Sequence, residues 1–423
     1  MKATVEPGRP EGVVTAPPSK SITQRACAAA LLHHGNTVIH NAGSSLDEQA
    51  ALRIIKQLGA TVVREDGNIR IMSHGVNPVS DTIDCGESGL AARLFIPIAA
   101  LSDKPITVSG SGTLLQRPLG LLDGILPELH VQMAGTNGHL PVLIRGPLVP
   151  RDISIDGSES SQFISGILFA LCYAQQTPLL TLNVTDPKST PYLDLTIDVL
   201  RKAGYHIEHD RYETFRLHQV AQRPTELELE VEADWSGAAA MLVAGALAGE
   251  VTVKEMHPDS RQADKAVLSV LENVGASVTW QGNSVTASRA NLMSFEFDAT
   301  DCPDLFPVLA ILAACCRGES YIKGVHRLFT KESNRAESIS EMLENFDVPY
   351  SIEDDTLAIT GVKRLSGTII DAHNDHRIVM AAAIGALRAG SRVDIVGAEA
   401  VNKSYPAFFN DLVLCGAKCN FSS

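Results

Sequence analysis

"PPSKSITQRACAAALLHHG", residues 17–35, opens on two prolines, passes through a lysine between two serines and an arginine, and then turns apolar. The apolar run reads as a buried helix. A helix start ordinarily favours Ser, Asp or Glu, because its free N–H groups and positive dipole end attract negative charge. Lys20 and Arg25 run against that preference. An anion seated at the helix end, held by amides, dipole and cations together, accounts for both. A Ser19 or Ser21 cap with two solvated cations is the alternative.

The same pattern returns at "CGESGLAARLFIPIAALSD", "GSESSQFISGILFALCYAQ", "EADWSGAAAMLVAGALAGE", "TDCPDLFPVLAILAACCRGE" and "HNDHRIVMAAAIGALRAG". Measured from Ser19, Glu87, Glu159, Asp234, Asp304 and Asn374, the intervals are 68, 72, 75, 70 and 70 residues. A period near 70 residues marks a repeat architecture. Each apolar helix leads into a segment such as "NTVIHNAGSSLDEQAALRIIKQLGATV" or "EVTVKEMHPDSRQADKAVLSVLENVGASV". Such a segment reads as a strand, a polar loop, an amphipathic helix ending near Gly-Ala, and another strand.

The spacing therefore predicts an α/β fold of six β-α-β-α-β-β units arranged as two domains of three. The first helix of each unit should be buried and the second exposed on one face. The boundary falls near "VEADWSG". Because the strand at residues 2–7 lies outside the first unit, it is expected to join the last unit's sheet. The expected domains are 1–18 plus 232–423, and 19–231. Three-fold packing would aim the buried helices' N-termini at one face of each domain, so that the six ends converge on an interdomain cleft.

At 423 residues the chain is long enough for two or three domains, and 45% hydrophobic with 20% charged residues fits a globular protein. A net charge of −14 argues against a nucleic-acid surface, so any anionic ligand needs a local cluster of cations. "MKATVEPGRPEG" has neither a signal core nor a presequence, and no apolar run reaches membrane-spanning length, which points to a cytoplasmic protein. The eight cysteines show no CxxC spacing and read as small buried hydrophobes. Chemistry is expected in the helix first turns and in the loops before the second helices. The first turns hold Lys20, Ser21 and Arg25; Glu87, Ser88 and Arg93; Ser160, Ser161 and Gln162; Asp234; Asp304; and Asn374, Asp375, His376 and Arg377, and the loops hold Asp47; Gln116 and Arg117; Lys188 and Ser189; Arg261; Lys331, Glu332 and Arg335; and Lys403.

"PSKSITQRA", "SSQF", "KSTPYLD", "KESNR", "NDHR" and "NKSYPAFF", in this order, resemble the signatures of the 5-enolpyruvylshikimate-3-phosphate synthase family over essentially the whole chain. The resemblance implies two domains of three repeated units. It also implies transfer of the enolpyruvyl group of phosphoenolpyruvate to shikimate-3-phosphate, with no metal, no cofactor and no covalent enzyme intermediate, by a monomer. Lys20, Gly89, Arg117, Arg335, Arg377 and Lys403 match the phosphoenolpyruvate side. Lys20, Ser21, Arg25, Ser160, Ser161, Gln162, Ser189, Tyr192, Asp304 and Lys331 match the shikimate-3-phosphate side. Asp304, Glu332, Lys20 and His376 would form the reaction centre, Asp304 taking the acceptor proton and Lys20 or Glu332 protonating the methylene carbon.

The chain departs from the family pattern at Glu87 and Leu90, where small polar residues are expected, and these positions bear on contacts to phosphoenolpyruvate and the inhibitor glyphosate. Arg327 and Asn334 replace an asparagine and an aspartate; Arg327 either adds a cation beside the shikimate phosphate or lies on the surface. A sister transferase acting on UDP-N-acetylglucosamine usually carries a reactive cysteine in a second-unit loop, and "GTLLQRPLG" has none. An RNA 3′-phosphate cyclase-like protein would need a basic groove. A non-catalytic metabolite sensor would not need the full set of Lys20, Asp304, Glu332, His376 and Lys403. Two further expectations concern the empty enzyme. Its facing cations should repel and keep the domains open, and Lys20→Met should cost no stability.

Overall fold

In each of the six copies an apolar helix is flanked by strands that cannot pair with it, so the strands pair with one another and cover it. The computed structural model describes residues 1–65 and 67–422 and shows six four-stranded sheets. The expected mixed α/β architecture is what forms. Each sheet begins with a parallel pair and continues antiparallel, as where Ile153–Asp156 runs parallel to Leu179–Thr185, which pairs antiparallel with Thr214–His218. In the second, third, fifth and sixth sheets the parallel pair exists because the buried helix crosses over between its two strands, whereas the first and fourth sheets exchange their parallel edge strands.

The chain divides into two compact units, Met1–Pro17 with Glu232–Ser423, and Pro18–Val231. In the second of these, the helices Lys20–Leu32, Gly89–Ala99 and Ser161–Ala174 pack on one another. In the first, Trp235–Ala248, Phe306–Cys315 and His376–Ala386 do the same. All ten residues of Phe306–Cys315 except Cys315 are buried. A helix apolar on every side has nowhere stable to sit except the middle of a core. The second helices are amphipathic by contrast; Leu46–Gln57 starts with a Ser45–Glu48 capping box and buries one face.

Two strands come from outside their own copy. Lys2–Val5 lies between Val393–Val396 and Cys419–Ser422 in the sixth sheet, and Glu11–Thr15 runs parallel to Glu250–Lys254 in the fourth. The repeat pattern points only to the first of these. Likewise Glu226–Glu230, at the end of the third copy, supplies the parallel edge of the first sheet.

Small residues let the core helices approach closely. A Cβ built on Gly166 would run into the backbone carbonyl oxygens of Arg93 and Leu94 in the neighbouring core helix. Backbone cannot give way as a flexible side chain does. Gly166→Ala should therefore destabilise the protein by about 1–3 kcal/mol, the usual range for overpacking, although alanine is the better helix former. Urea unfolding checks this, and an unchanged or higher midpoint would contradict the close approach.

Candidate active site

In the unit Met1–Pro17 with Glu232–Ser423, the starts of the fifth- and sixth-copy helices hold an ionic cluster. Arg335 is the first residue of the helix Arg335–Asn345, and its side chain is fully buried. Its Nη1 donates to Asp304 Oδ1 at 2.7 Å, its Nη2 to Glu332 Oε2 at 2.7 Å, and its Nε to Asp375 Oδ2 at 2.7 Å. Asp304 also accepts from Arg377 Nη2 at 3.1 Å through its other oxygen. Asp375 caps the helix His376–Ala386 by accepting from the Arg377 amide at 2.9 Å, and it accepts from Ser333 Oγ at 3.1 Å. Lys403 Nζ donates to the carbonyl of Asn374 at 2.6 Å, on the same turn that precedes buried His376.

These contacts set the electrostatics. Burial pushes the Asp304 carboxyl up, but Arg377, Arg335 and Lys331 together pull it further the other way, leaving it well below the ordinary carboxylate range. Burial pushes Lys331 down to about 7, with Arg327 and Arg335 adding to the effect and Asp304 opposing it. Arg327 is 6% exposed, so the surface alternative for it is excluded, and its charge acts on Lys331. Asp264, which the repeat pattern does not single out, is buried, accepts from Ser236 Oγ at 2.5 Å, and is raised by burial and then by the Asp304 charge. Asp264 could not be separated in the sequence from an ordinary surface acid.

In the unit Pro18–Val231, Lys20 begins the first core helix and pairs with Asp47 at 3.0 Å, their side chains 12% and 8% exposed. Ser19 stands at the cap position, yet its hydroxyl caps nothing and is buried without a hydrogen-bond partner. Ser88, Ser160, Asp234 and Asp375 all cap their helices. The first helix therefore keeps its N-terminal amides clear of side-chain caps beside a lysine, the arrangement that suits an anion. Ser189, which precedes Thr190–Lys202, also makes no cap bond; it sits in the left-handed region at φ 54°.

Arg25 departs from expectation. It lies in the second turn, and its guanidinium donates to Thr196 Oγ1 at 2.8 Å and to the carbonyls of Ser21 at 2.9 Å and Tyr192 at 3.2 Å. Ser165 Oγ lies at 3.5 Å. Burial pushes its pKa down to about 10. It ties the first-copy helix to Tyr192 and Thr196 on the helix Thr190–Lys202. Arg117, by contrast, lies flat on Gly89, the first residue of its helix, where any Cβ would overlap the guanidinium. Arg93 donates to Gln162 Oε1 at 3.0 Å and thereby fixes a first-turn residue of the third core helix. Leu90 is buried behind this set.

The carboxylates of Asp304, Glu332 and Asp375 are all paired with Arg335. A cavity of about 750 Å³ in the same unit is lined by Arg289, Arg317, Lys363 and Arg388 and bordered by Leu247 and Cys315, at the C-terminal ends of core helices. Cations there match the negative dipole ends, and none of the expected site residues borders it.

The expectation that Lys20 sits unpaired at a cost in stability is overturned by Asp47. Removing the ammonium would leave a buried carboxylate uncompensated. Lys20→Met should lower stability by about 1–3 kcal/mol, and Lys20→Met with Asp47→Asn should recover most of the loss. Denaturant midpoints of the two variants decide it; a fully stable single variant would show that the ion pair contributes nothing.

Comparison with known proteins agrees with this picture. A model of the family described as EPSP synthase (3-phosphoshikimate 1-carboxyvinyltransferase) matches residues 5–412. The chain is 36% identical to the 3-phosphoshikimate 1-carboxyvinyltransferase of Methanocorpusculum labreanum, covering 99% of both chains. It is 33% identical to that of Clostridium novyi, covering 97% of this chain and 96% of the relative. Among solved structures, the EPSP synthase of Acinetobacter baumannii has the same fold, with a TM-score of 0.81 at 23% identity over 99% of this chain and all of the other. NikO, an enolpyruvyl transferase from Streptomyces tendae, also shares the fold, at a TM-score of 0.79 and 18% identity over 100% and 98% of the two chains. With that family model spanning the repeats and their helix starts, the chain belongs to the EPSP synthase family.

Proposed function

We infer that the chain transfers the enolpyruvyl group of phosphoenolpyruvate to the 5-hydroxyl of shikimate-3-phosphate, releasing phosphate, in the pathway to aromatic amino acids. Family membership supports the reaction over two of the three rivals, the UDP-N-acetylglucosamine transferase and the RNA 3′-phosphate cyclase-like protein. The observation that carries the residue assignments is the Asp304 carboxylate bridging Arg335 and Arg377.

With two arginines and three carboxylates, the group Arg335, Arg377, Asp304, Glu332 and Asp375 is balanced by its own counter-ions rather than repelling. Phosphoenolpyruvate brings a carboxylate and a phosphate, both suited to bidentate guanidinium binding. They would take Arg335 and Arg377 over from Asp304 and Glu332, whose side chains are 26% and 16% exposed; Asp375, fully buried and capping a helix, would stay. Lys403 and Arg117 would complete the phosphoenolpyruvate side. Lys20, Ser21, Ser160, Ser161, Gln162, Ser189, Tyr192 and Lys331 would hold shikimate-3-phosphate, with Arg25 positioning Ser21 and Tyr192.

This exchange activates the base. While paired, Asp304 is a weak proton acceptor, because two guanidinium groups stabilise its anion. Losing them to the substrate raises its proton affinity as the acceptor hydroxyl arrives. The hydroxyl proton passes to Asp304, Lys20 or Glu332 protonates the methylene carbon, and the alkoxide oxygen bonds to C2. The tetrahedral adduct then loses phosphate and returns one methyl proton to the group that protonated the methylene carbon, which leaves the enol ether product. Buried His376 lines the turn that positions Arg377 and Asn374.

Phosphate release from phosphoenolpyruvate should require shikimate-3-phosphate, and equal release with UDP-N-acetylglucosamine would overturn the assignment. In this assay Asp304→Ala should lower kcat by about 10²-fold or more. KM for phosphoenolpyruvate should not rise, because the arginines lose a competing anion. A raised KM with unchanged kcat would make Asp304 a binding residue only.

Lys331 predicts the pH dependence. With its pKa near 7, the free enzyme loses this charge as pH rises, and a bound phosphate would hold the proton on. Affinity for shikimate-3-phosphate should fall above that pH by up to about tenfold per unit, and binding at pH 8 should take up protons. Calorimetry in buffers of different ionisation enthalpy measures the uptake. Lys331→Arg, always charged, should abolish it; uptake that persists would assign it to another group.

A further inference from the structure

The strand His206–Asp210 forms the outer edge of the third-copy sheet, and its hairpin partner Thr214–His218 pairs on its other side with Leu179–Thr185. Alternation puts Ile207 and Leu217 in the core and His206, Glu208 and His218 on the outer face. His206 is paired directly across from His218, and their rings stack with centroids 4.5 Å apart. Glu208, two residues along on the same face, reaches between them. Its Oε1 lies 3.5 Å from His206 Nε2 and its Oε2 3.5 Å from His218 Nε2. The donor atoms of all three residues lie within 4.8 Å of one another.

Those separations are long for hydrogen bonds, which peak at about 2.9–3.0 Å for N–H···O. They do match a shared ion. Two bonds of about 2.0–2.1 Å at a tetrahedral angle place the ligand atoms about 3.4 Å apart. His218 Nε2 is screened from solvent and makes no hydrogen bond. We propose that His206, Glu208 and His218 form a binding site for a divalent first-row transition ion such as zinc, with a fourth position open to water. Two imidazoles and a carboxylate are borderline-hard ligands of the kind zinc, cobalt and nickel take. Arg216, the register partner of Glu208, is the competing cation on this face.

The site is structural rather than catalytic. At the other end of the hairpin, Tyr212 donates its hydroxyl to Asp194 at 3.0 Å, on the helix Thr190–Lys202 that comes after Ser189. An ion would therefore clip the two strands together at the end opposite the fastened tip, where His218 also stands in register with Leu179.

The test uses the full chain without an affinity tag, stripped of metal and titrated with zinc by calorimetry and with cobalt by visible absorption. The expected result is one ion per chain, tetrahedral cobalt bands, and a melting temperature raised by zinc and lowered again by EDTA. His206→Ala and His218→Ala should each weaken binding by about tenfold or more and abolish the melting shift, and Glu208→Gln should weaken it less. Turnover should be the same in all three variants and with EDTA. Absence of saturable binding, or binding that the three substitutions leave unchanged, overturns the proposal; loss of turnover on EDTA treatment would overturn the structural role.

Discussion

A helix buried on every side can present chemistry only at its ends, and that constraint organises the whole chain. Six such helices each give up their flanks to packing against two others and a sheet. Polar groups that serve a ligand must then sit in the first turn, or in the loop that leads to the neighbouring helix. Lys20, Gly89, Ser161, Asp304 and His376 all occupy such positions. The opposite ends, where the dipole is negative, collect Arg317 and Arg388 instead.

Burying cations at helix starts is unfavourable on two counts, desolvation and the dipole, and the fold answers with carboxylates. Taking an ion out of water costs several kcal/mol even after relaxation, so Arg335 is held by three acidic groups and Lys20 by one. Counter-ions supplied by the protein have a functional advantage over solvent. They keep the guanidinium groups oriented, and Asp304 and Glu332, the partly exposed ones around Arg335, are those a better-matched anion would displace. In the proposed reaction Asp304 links the two roles, because the groups that hold its carboxyl low are those a substrate would occupy.

The same logic explains the charge balance of the molecule. A protein of net charge −14 that handles anions cannot attract them by its overall field. It relies on short-range donors placed by the repeat, with Arg25, Arg93 and Asp375 spending their hydrogen bonds on aligning neighbouring side chains and helix ends.

The sequence by itself determined the six-fold repeat, the helix that each copy buries, the mixed α/β class and the helix starts at which the site residues stand. Periodicity and cap chemistry are local, so they survive in a linear reading. Tertiary structure alone decided the pairings. That Lys20 faces Asp47, that Arg335 gathers Asp304, Glu332 and Asp375, and that Arg327 is buried depend on side chains brought together from separate copies or loops. So does the second borrowed strand, Glu11–Thr15, whose partner Glu250–Lys254 lies in a different copy far along the chain. Charge pairing and strand pairing act through space, and spacing along the chain carries no record of which unlike charges end up as neighbours.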